Sequence, residues 1–379
     1  MLWPRNVRRI APSLVHGTDV ARLNSINPAR RVAFGILTRV ETGAWASELL
    51  LAHAQGLGAR DAGLAWELVF GVLRRQAQLD FIISALVPRR LDMEVRVALR
   101  LGLYQLRHLD RVPAHAAVAE TVELVKTAGK RSAAALVNAV LRRAPCGEVE
   151  WPDRATALSC PAWLLESWER QFGRQTASDI AEAALHAPES HVASTGRTQD
   201  IGAQSIVPLL RIEPGQTFLD VCAAPGNKTA QAIEAGARTI ACDLHFHRLR
   251  GLADLSCQRV VLDATQPLPF SARFDRVLVD APCSGTGTLG RNPEIKWRLQ
   301  PSDPADLHIR QVAILRSALN SLAPGGMLVY STCSLEREEN EEVIAELGGD
   351  WRIYRRIPGR DAGDGFFAAV LTSGLPANG

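Results

Sequence analysis

From Arg31 to about Arg143, apolar residues recur every three to four positions, the spacing of one buried helix face. In RRVAFGILTRVETG that face is Val32, Ile36, Leu37 and Val40; in DAGLAWELVFGVLRR it is Leu64, Leu68, Val69, Val72 and Leu73; VRVALRLGLYQLRHL repeats it. Gly43, Pro88, Pro113 and Gly129 punctuate the runs. The pattern predicts five to seven helices and no strand, an all-α domain over residues 31–145. Residues 1–30 lack any period and are expected to form a tail. Prolines 145, 152, 161 and 188 interrupt residues 144–200; 146–200 reads as a helical linker with one clear helix near Trp163–Phe172, and HAPESHVASTGRTQD looks like a linker.

The period changes at Ile201. TFLDVC, RTIACD, RVVLDA, RFDRVLVDAPC and GGMLVYSTCS are short β-rich runs separated by helical ones, the longest near 306–322. This alternation predicts an α/β domain over 201–379, a mostly parallel sheet with helices on both faces. Ligands in such folds bind beyond the carboxyl ends of the strands. Those ends are Asp220–Cys222, Asp243, Asp263, Asp280–Ser284 and Ser331–Ser334.

Composition narrows the reading. The 379 residues are 47% hydrophobic and 22% charged, in the globular range. No run approaches the roughly 18–20 apolar residues of a membrane span, and MLWPRNVRRIAPSL has no apolar signal core. Cysteines 146, 160, 222, 242, 257, 283 and 333 are odd in number, with no CxxC and no Cys/His ladder. That argues against a disulfide framework and a metal site, and for a reducing cytoplasm. The net charge of +3 hides an asymmetry: 21 Lys+Arg against 11 Asp+Glu in residues 1–145, and 22 against 29 in the remainder. A basic helical half suggests a polyanionic partner such as nucleic acid, the plain alternative being solvated helix surface. Of 43 basic residues only 126, 130, 228 and 296 are Lys.

Two loops carry candidate chemistry. In TFLDVCAAPGNKTA a strand runs through Gly226 into a helix whose N-terminal N–H groups are free to bind a ligand. Asn227 separates the Gly from Lys228, so this is not a phosphate-binding Walker loop, and G-x-G-x-x-G is absent. Asp243 follows 17 residues after Gly226, where a carboxylate accepts from ribose hydroxyls; Asp263 ends the third strand, where an adenine edge would lie. A small-residue loop with a ribose acid and no phosphate anchor favours S-adenosyl-L-methionine over NAD or ATP; the plain alternative is helix-capping aspartates. Lys228, a rare Lys, suits the cofactor's carboxylate or Asp220.

DAPCSGTG and STCSLEREENEEV place Cys283 and Cys333 in small polar loops just beyond two strands. Most free cysteines are buried bystanders, and Cys242 and Cys257 are read so. A thiolate beside a methyl sulfonium suits methylation of a pyrimidine carbon: addition at C6 of cytosine makes C5 nucleophilic. Asp280 is placed to hydrogen-bond the N3/N4 edge. The chemistry alone leaves Cys283 and Cys333 equivalent.

VCAAPGNKTA, VLVDAPCSGTGTLGRNPEIKW, GGMLVYSTCSLEREENEEVI and GDGFFAAVL resemble the Sun-type RNA (cytosine-5) methyltransferases. LVFGVLRRQAQLD, LRLGLYQL, VPAHAAVAETVEL and ALVNAVLRR resemble the NusB-like extension of the branch that modifies small-subunit ribosomal RNA, and SCPAWLLESWERQFG resembles the segment after it. The resemblance spans nearly the whole chain. It implies a Rossmann-like class I S-adenosylmethionine-dependent methyltransferase domain behind an all-α NusB-like RNA-binding domain. It assigns Cys333 as nucleophile, through an adduct with C6, and Cys283 to product release, with Asp280 beside them. Cofactor contacts fall on Cys222, Ala223, Ala224, Pro225, Gly226, Asn227, Lys228, Asp243, Asp263 and Asp280. The expected partner is RNA, ribosomal RNA before transfer RNA, with no metal, no membrane and a monomeric chain; a catalytically weak RNA-binding or assembly protein is the alternative. Two departures stand out. Asn227 replaces a family Gly, and the α/β RNA-binding subdomain expected before the cofactor strand is reduced to HAPESHVASTGRTQDIGAQ.

Overall fold

A computed structural model describes residues 26–145 and 147–372. Most of the expected tail, residues 1–25, and Cys146 lie outside the described residues. The chain divides into two compact units between Glu150 and Trp151.

The first unit is all-α: α1 (Pro28–Glu41), α2 (Ala46–His53), α3 (Ala59–Arg74), α4 (Gln76–Leu86), α5 (Met93–His108), α6 (Ala114–Thr127) and α7 (Ala134–Arg143). The first helix starts ahead of Arg31 because the Asn27 side chain caps the amides of Ala29 and Arg30, with Pro28 at the first helical position. Helix α5 is the centre: Val95, Val97, Leu99, Leu101 and Leu103 are all buried. Two glycines let its neighbours approach. A Cβ on Gly71 of α3 would sit 2.0 Å from the Tyr104 ring, and one on Gly102 would sit 2.8 Å from Leu141 of α7.

The basic character of this half is partly internal. Arg100 is buried and forks onto Asp80 at 2.6 Å through both Nε and Nη2, while Nη1 reaches Glu41 at 2.6 Å. Arg30, also buried, spans Gln105 and Glu120. These cations hold helices together. Arg60, Arg89, Arg90, Arg111, Arg142 and Arg143 are exposed and remain available to a polyanion.

The second unit opens with α8 (Arg154–Ala157), α9 (Ala162–Phe172) and α10 (Arg174–Ala183). Only the second of these was legible, because α8 is a single turn and α10 is polar on most of its surface. The stretch read as a linker is tied down instead. Val192 bridges Thr198, Ser194 donates to Glu234 at 2.6 Å, and Asp200 caps α11 (Ile201–Gln204) and accepts from Arg291.

The sheet follows: β1 (Thr217–Asp220), α12 (Asn227–Glu234), β2 (Arg238–Asp243), α13 (Phe246–Leu249), β3 (Gln258–Val261), β4 (Phe274–Asp280), α14 (Ile295–Arg298), α15 (Asp303–Leu319), β5 (Leu322–Thr332), α16 (Glu341–Leu347), β6 (Arg352–Arg356) and β7 (Phe366–Thr372). Strand order is β3-β2-β1-β4-β5-β7-β6, with β7 antiparallel to both neighbours and the rest parallel. The chain leaves β1 to one side for β2 and β3 and returns on the other with β4, so the switch point lies between β1 and β4. The β6–β7 pair escaped the sequence pattern because β6, RIYRR, is a mostly exposed edge strand without alternation. No helix among the described residues is long and apolar enough to cross a membrane.

Candidate active site

Lys228, Asp280, Cys283 and Cys333 come together at the carboxyl ends of β1, β4 and β5, while Asp243 and Asp263 stand farther along the sheet, after β2 and β3. After β1, Gly226 turns the chain at φ 101° into α12, and a Cβ there would meet Leu252 Cγ at 2.6 Å, so only Gly fits. Asn227 starts the helix and donates to the Thr198 carbonyl at 3.2 Å. The family Gly it replaces is therefore not needed for this turn.

Asp220, at the end of β1, is 1% exposed. Its Oδ2 accepts from Thr229 at 2.7 Å, and its Oδ1 takes no well-formed hydrogen bond among the described residues. Burial, with the Asp280 charge nearby, raises its pKa to about 7 against the restraining Thr229 bond. Asp243 ends β2, buried, and accepts from the His245 amide at 2.9 Å, with Arg248 at 3.6 Å. Asp263 lies two residues past β3, exposed. Its carboxylate accepts from the Thr265 amide and hydroxyl, bonds that lower its pKa. Cys222, Ala223, Ala224 and Pro225 form the loop between β1 and Gly226, and burial raises the Cys222 thiol far above its ordinary value.

The rare Lys228 projects from the first turn of α12. Its side chain is 11% exposed, and Nζ donates to Asp280 Oδ2 at 2.7 Å while lying 5.4 Å from the Phe366 ring centre. Burial disfavours its charge, but Asp280, with Cys333 and Asp220 also facing it, more than restores it and the pKa is raised. The other Asp280 oxygen accepts from Ser331 at 2.9 Å.

Cys283 and Cys333, fifty residues apart in sequence, meet with their sulfurs 3.3 Å apart. The Cys283 thiol is pushed well up by its contact with the Cys333 sulfur, then by burial and by Glu339. The two cysteine loops are stitched together beneath the sulfurs. Ser284 and Ser334 are 3.0 Å apart through their hydroxyls, the Gly287 amide donates to the Cys333 carbonyl, and Glu339 reaches both loops. Helix α9 supports this from below, Trp168 donating to buried Glu336 at 2.9 Å. Burial raises the Glu336 pKa to about 7. Ser284, Gln311, Glu336 and Glu339 were not singled out in the sequence. Glu336 and Glu339 are two acids among five in LEREENEE, and nothing local separates these buried ones from the solvated ones. Among the described residues no group of His, Cys, Asp and Glu is disposed to hold a metal.

Asp220 yields a stability prediction. Its folded pKa, about 7, lies above its ordinary 3.8, so its contribution is fully present below 3.8 and lost as pH climbs to about 7. Asp220→Asn should therefore gain on the wild type across that window, by at most about 4 kcal/mol. Thermal melts of both proteins at pH 5 and pH 8 check it; a gap that does not move with pH would refute the buried-acid account.

A Rossmann-type sheet with a Gly-turned ligand loop, a strand-end carboxylate and a cysteine pair at the switch-point edge defines a methyltransferase domain, here preceded by a NusB-type helical unit. The comparisons say which kind. The family model for 16S rRNA methyltransferase RsmB/F matches residues 207–352, and that of the NusB family matches residues 27–145. The chain is 32% identical to the probable ribosomal RNA small subunit methyltransferase B of Synechocystis sp., over 87% of this chain and 91% of the relative. It is 31% identical to the ribosomal RNA small subunit methyltransferase B of Klebsiella pneumoniae (strain 342), over 92% and 98%. The chain belongs to the RsmB/F family. Those alignments run over 406 and 425 positions, more than the 379 residues present here, so the relatives carry stretches without counterpart in this chain. Among solved structures, PH0851 superposes with a TM-score of 0.73 at 20% identity over 91% of this chain and 98% of that one. A methyltransferase homologue from Pyrococcus horikoshii superposes at 0.50 and 23% identity, over 59% and 100%, a likeness of fold.

Proposed function

We propose that this protein methylates C5 of a cytosine in small-subunit ribosomal RNA, with S-adenosyl-L-methionine as methyl donor. The observation that carries the reading is the 3.3 Å approach of Cys283 and Cys333 beside the Lys228–Asp280 ion pair. The β1 loop fits the cofactor. Asp220 Oδ1 is buried and still has acceptor capacity, and Gly226 leaves backbone room. Asp220, Asp243, Lys228 and the 222–227 loop would hold it, with Asp263 at the rim; bound there it supplies an electrophilic methyl group.

The protein's own part is covalent. The Cys333 sulfur adds to C6 of the cytosine, which makes C5 nucleophilic. Two sulfurs are present, and their surroundings differ. Cys333 faces the Lys228 ammonium, whereas Cys283 faces the Glu339 carboxylate. The Cys333 contact, burial and the Glu339 carboxylate together keep a proton on Cys283, which leaves the other sulfur to attack. Cys333 is then the nucleophile and Cys283 a thiol that donates to it. Asp280, fixed by Lys228 and Ser331, is placed at the same edge to meet the cytosine N3/N4 face. The exposed arginines of the helical unit suit RNA phosphates, and the relatives' names point to ribosomal RNA.

The test is transfer of labelled methyl from S-adenosylmethionine to small-subunit ribosomal RNA by the purified protein, with bisulfite mapping of ribosomal and transfer RNA from a deletion strain. One ribosomal cytosine should lose its methyl group in that strain. Unchanged ribosomal RNA together with a lost methyl in transfer RNA would overturn the substrate assignment.

A further inference from the structure

Glu339 makes no contact that substrate chemistry requires, yet it is fully buried at the junction of both cysteine loops. Oε2 accepts from the Ser284 amide at 2.8 Å and from Gln311 Nε2 at 3.0 Å. Oε1 accepts from the hydroxyls of Ser284 and of Ser334, the latter at 2.7 Å. Ser284 follows Cys283 in sequence, and Ser334 follows Cys333. An amide N–H and a carboxamide NH₂ can only donate, so Oε2 is an acceptor; burial raises the Glu339 pKa, and the bonds from Ser284, Ser334 and Gln311 oppose that by favouring the carboxylate. Gln311 also donates to the Pro282 carbonyl at 2.9 Å, which ties α15 to the Cys283 loop from its other side. The Tyr330 hydroxyl donates to the Glu339 carbonyl at 2.6 Å, fixing the backbone that carries the carboxylate. One side chain thus sets the position of both loops.

We propose that Glu339 is a positioning residue: it locks the two cysteine loops in register so that the Cys283 S–H points its proton at the Cys333 sulfur as that sulfur leaves the RNA. This rests on the reading of Cys333 as nucleophile. In the release step the S–C6 bond breaks and its electron pair stays on Cys333. The C5 proton passes to water, and the C5–H bonding pair becomes the restored C5–C6 double bond. The Cys283 proton is shared with the departing thiolate and is not consumed. The groups facing the Cys283 sulfur are Cys333 from the loop after β5, Glu339 from the turn beyond it and Tyr330 from β5. Glu336 lies beside Glu339, and Lys228 and Asp280 stand on the far side of Cys333. Of these, Glu339 is the anion whose carboxylate bonds both the Cys283 loop, at Ser284, and the Cys333 loop, at Ser334.

Glu339→Gln keeps the shape and removes the charge. In the full-length protein with labelled S-adenosylmethionine and transcribed small-subunit RNA, kcat should fall at least tenfold with KM for RNA within twofold, and a covalent protein–RNA band absent from the wild type should appear on a denaturing gel. Iodoacetamide labelling of the Cys283 peptide, followed by mass spectrometry from pH 7 to 10, should be at least threefold faster at pH 8, because the carboxylate no longer opposes ionisation of that thiol. Ser334→Ala cuts one tie and keeps the charge: adduct should accumulate while the Cys283 labelling profile stays as in the wild type. Wild-type kcat and wild-type labelling in Glu339→Gln would overturn the proposal, as would a loss of activity explained wholly by a lowered melting temperature. If the wild-type protein transfers no methyl group, the functional reading falls, and the labelling comparison still judges Glu339 by itself.

Discussion

Cys333→Ala should abolish methyl transfer, lowering turnover by at least about 10⁴-fold. The size follows from the chemistry. Cytosine C5 is a poor nucleophile until a sulfur has added at C6, and no other side chain can take over that addition. Cys283 is only 3.3 Å away, but its sulfur is buried beside the Glu339 carboxylate and its thiol is held far from ionisation. The fold should survive, because Cys333 is a half-buried loop residue and the loop is anchored through Ser334, Glu339 and Asn340 rather than through the sulfur. Binding of S-adenosylmethionine, read by calorimetry, should be unchanged. Removing buried Cys242 is the control, with activity kept. Measurable turnover by Cys333→Ala would move the nucleophile to Cys283 and invert the electrostatic argument.

Cys283→Ala has the opposite signature: first-round methylation proceeds and the protein stays attached to its RNA. The leaving Cys333 thiolate loses its hydrogen-bond donor, a general-acid type of assistance commonly worth about 10²–10⁴-fold. Release therefore becomes slow relative to addition. A denaturing gel should show a band of protein bound to RNA that the wild type and Cys333→Ala both lack. Multiple-turnover rates should collapse while single-turnover methyl incorporation persists. Free, methylated RNA at wild-type rate, with no shifted band, would rule out the release role. The double variant Cys283→Ala/Cys333→Ala should show no band at all, because the bond is to Cys333.

Much of this was legible in the chain. The helical period of residues 31–143 and the alternation after Ile201 separate an all-α half from an α/β half, because buried faces must recur at 3.6 residues in one and in short apolar runs in the other. Strand-end positions are fixed by the same pattern, which is why Asp220, Asp243, Asp280, Cys283 and Cys333 could be named as site residues from their place in it. The resemblance then distinguished two cysteines that the chemistry left equivalent. Three things were not legible. The segment 185–200 is polar and Pro-containing like a linker, yet its backbone is paired and Asp200 is buried against Arg291. Strands β6 and β7 carry no alternation, β6 because it is an exposed edge and β7 because it is buried on both faces over most of its length. The basic surplus of the first half does not show which arginines face solvent, and Arg30 and Arg100 turn inward to carboxylates 20 to 90 positions away.

By itself, then, the sequence determined the two kinds of fold, the strand ends and which thiols and carboxylates stand at them, since these depend on local period and on which side chains are present. Only the tertiary structure decided which of those groups meet. That Cys283 and Cys333 touch, that Lys228 salts Asp280 while facing Cys333, and that one of five neighbouring acids, Glu339, is buried between the two loops all depend on the pairing of β4 with β5 and on α15 covering them. Such contacts join residues about fifty positions apart, and no short-range pattern encodes them.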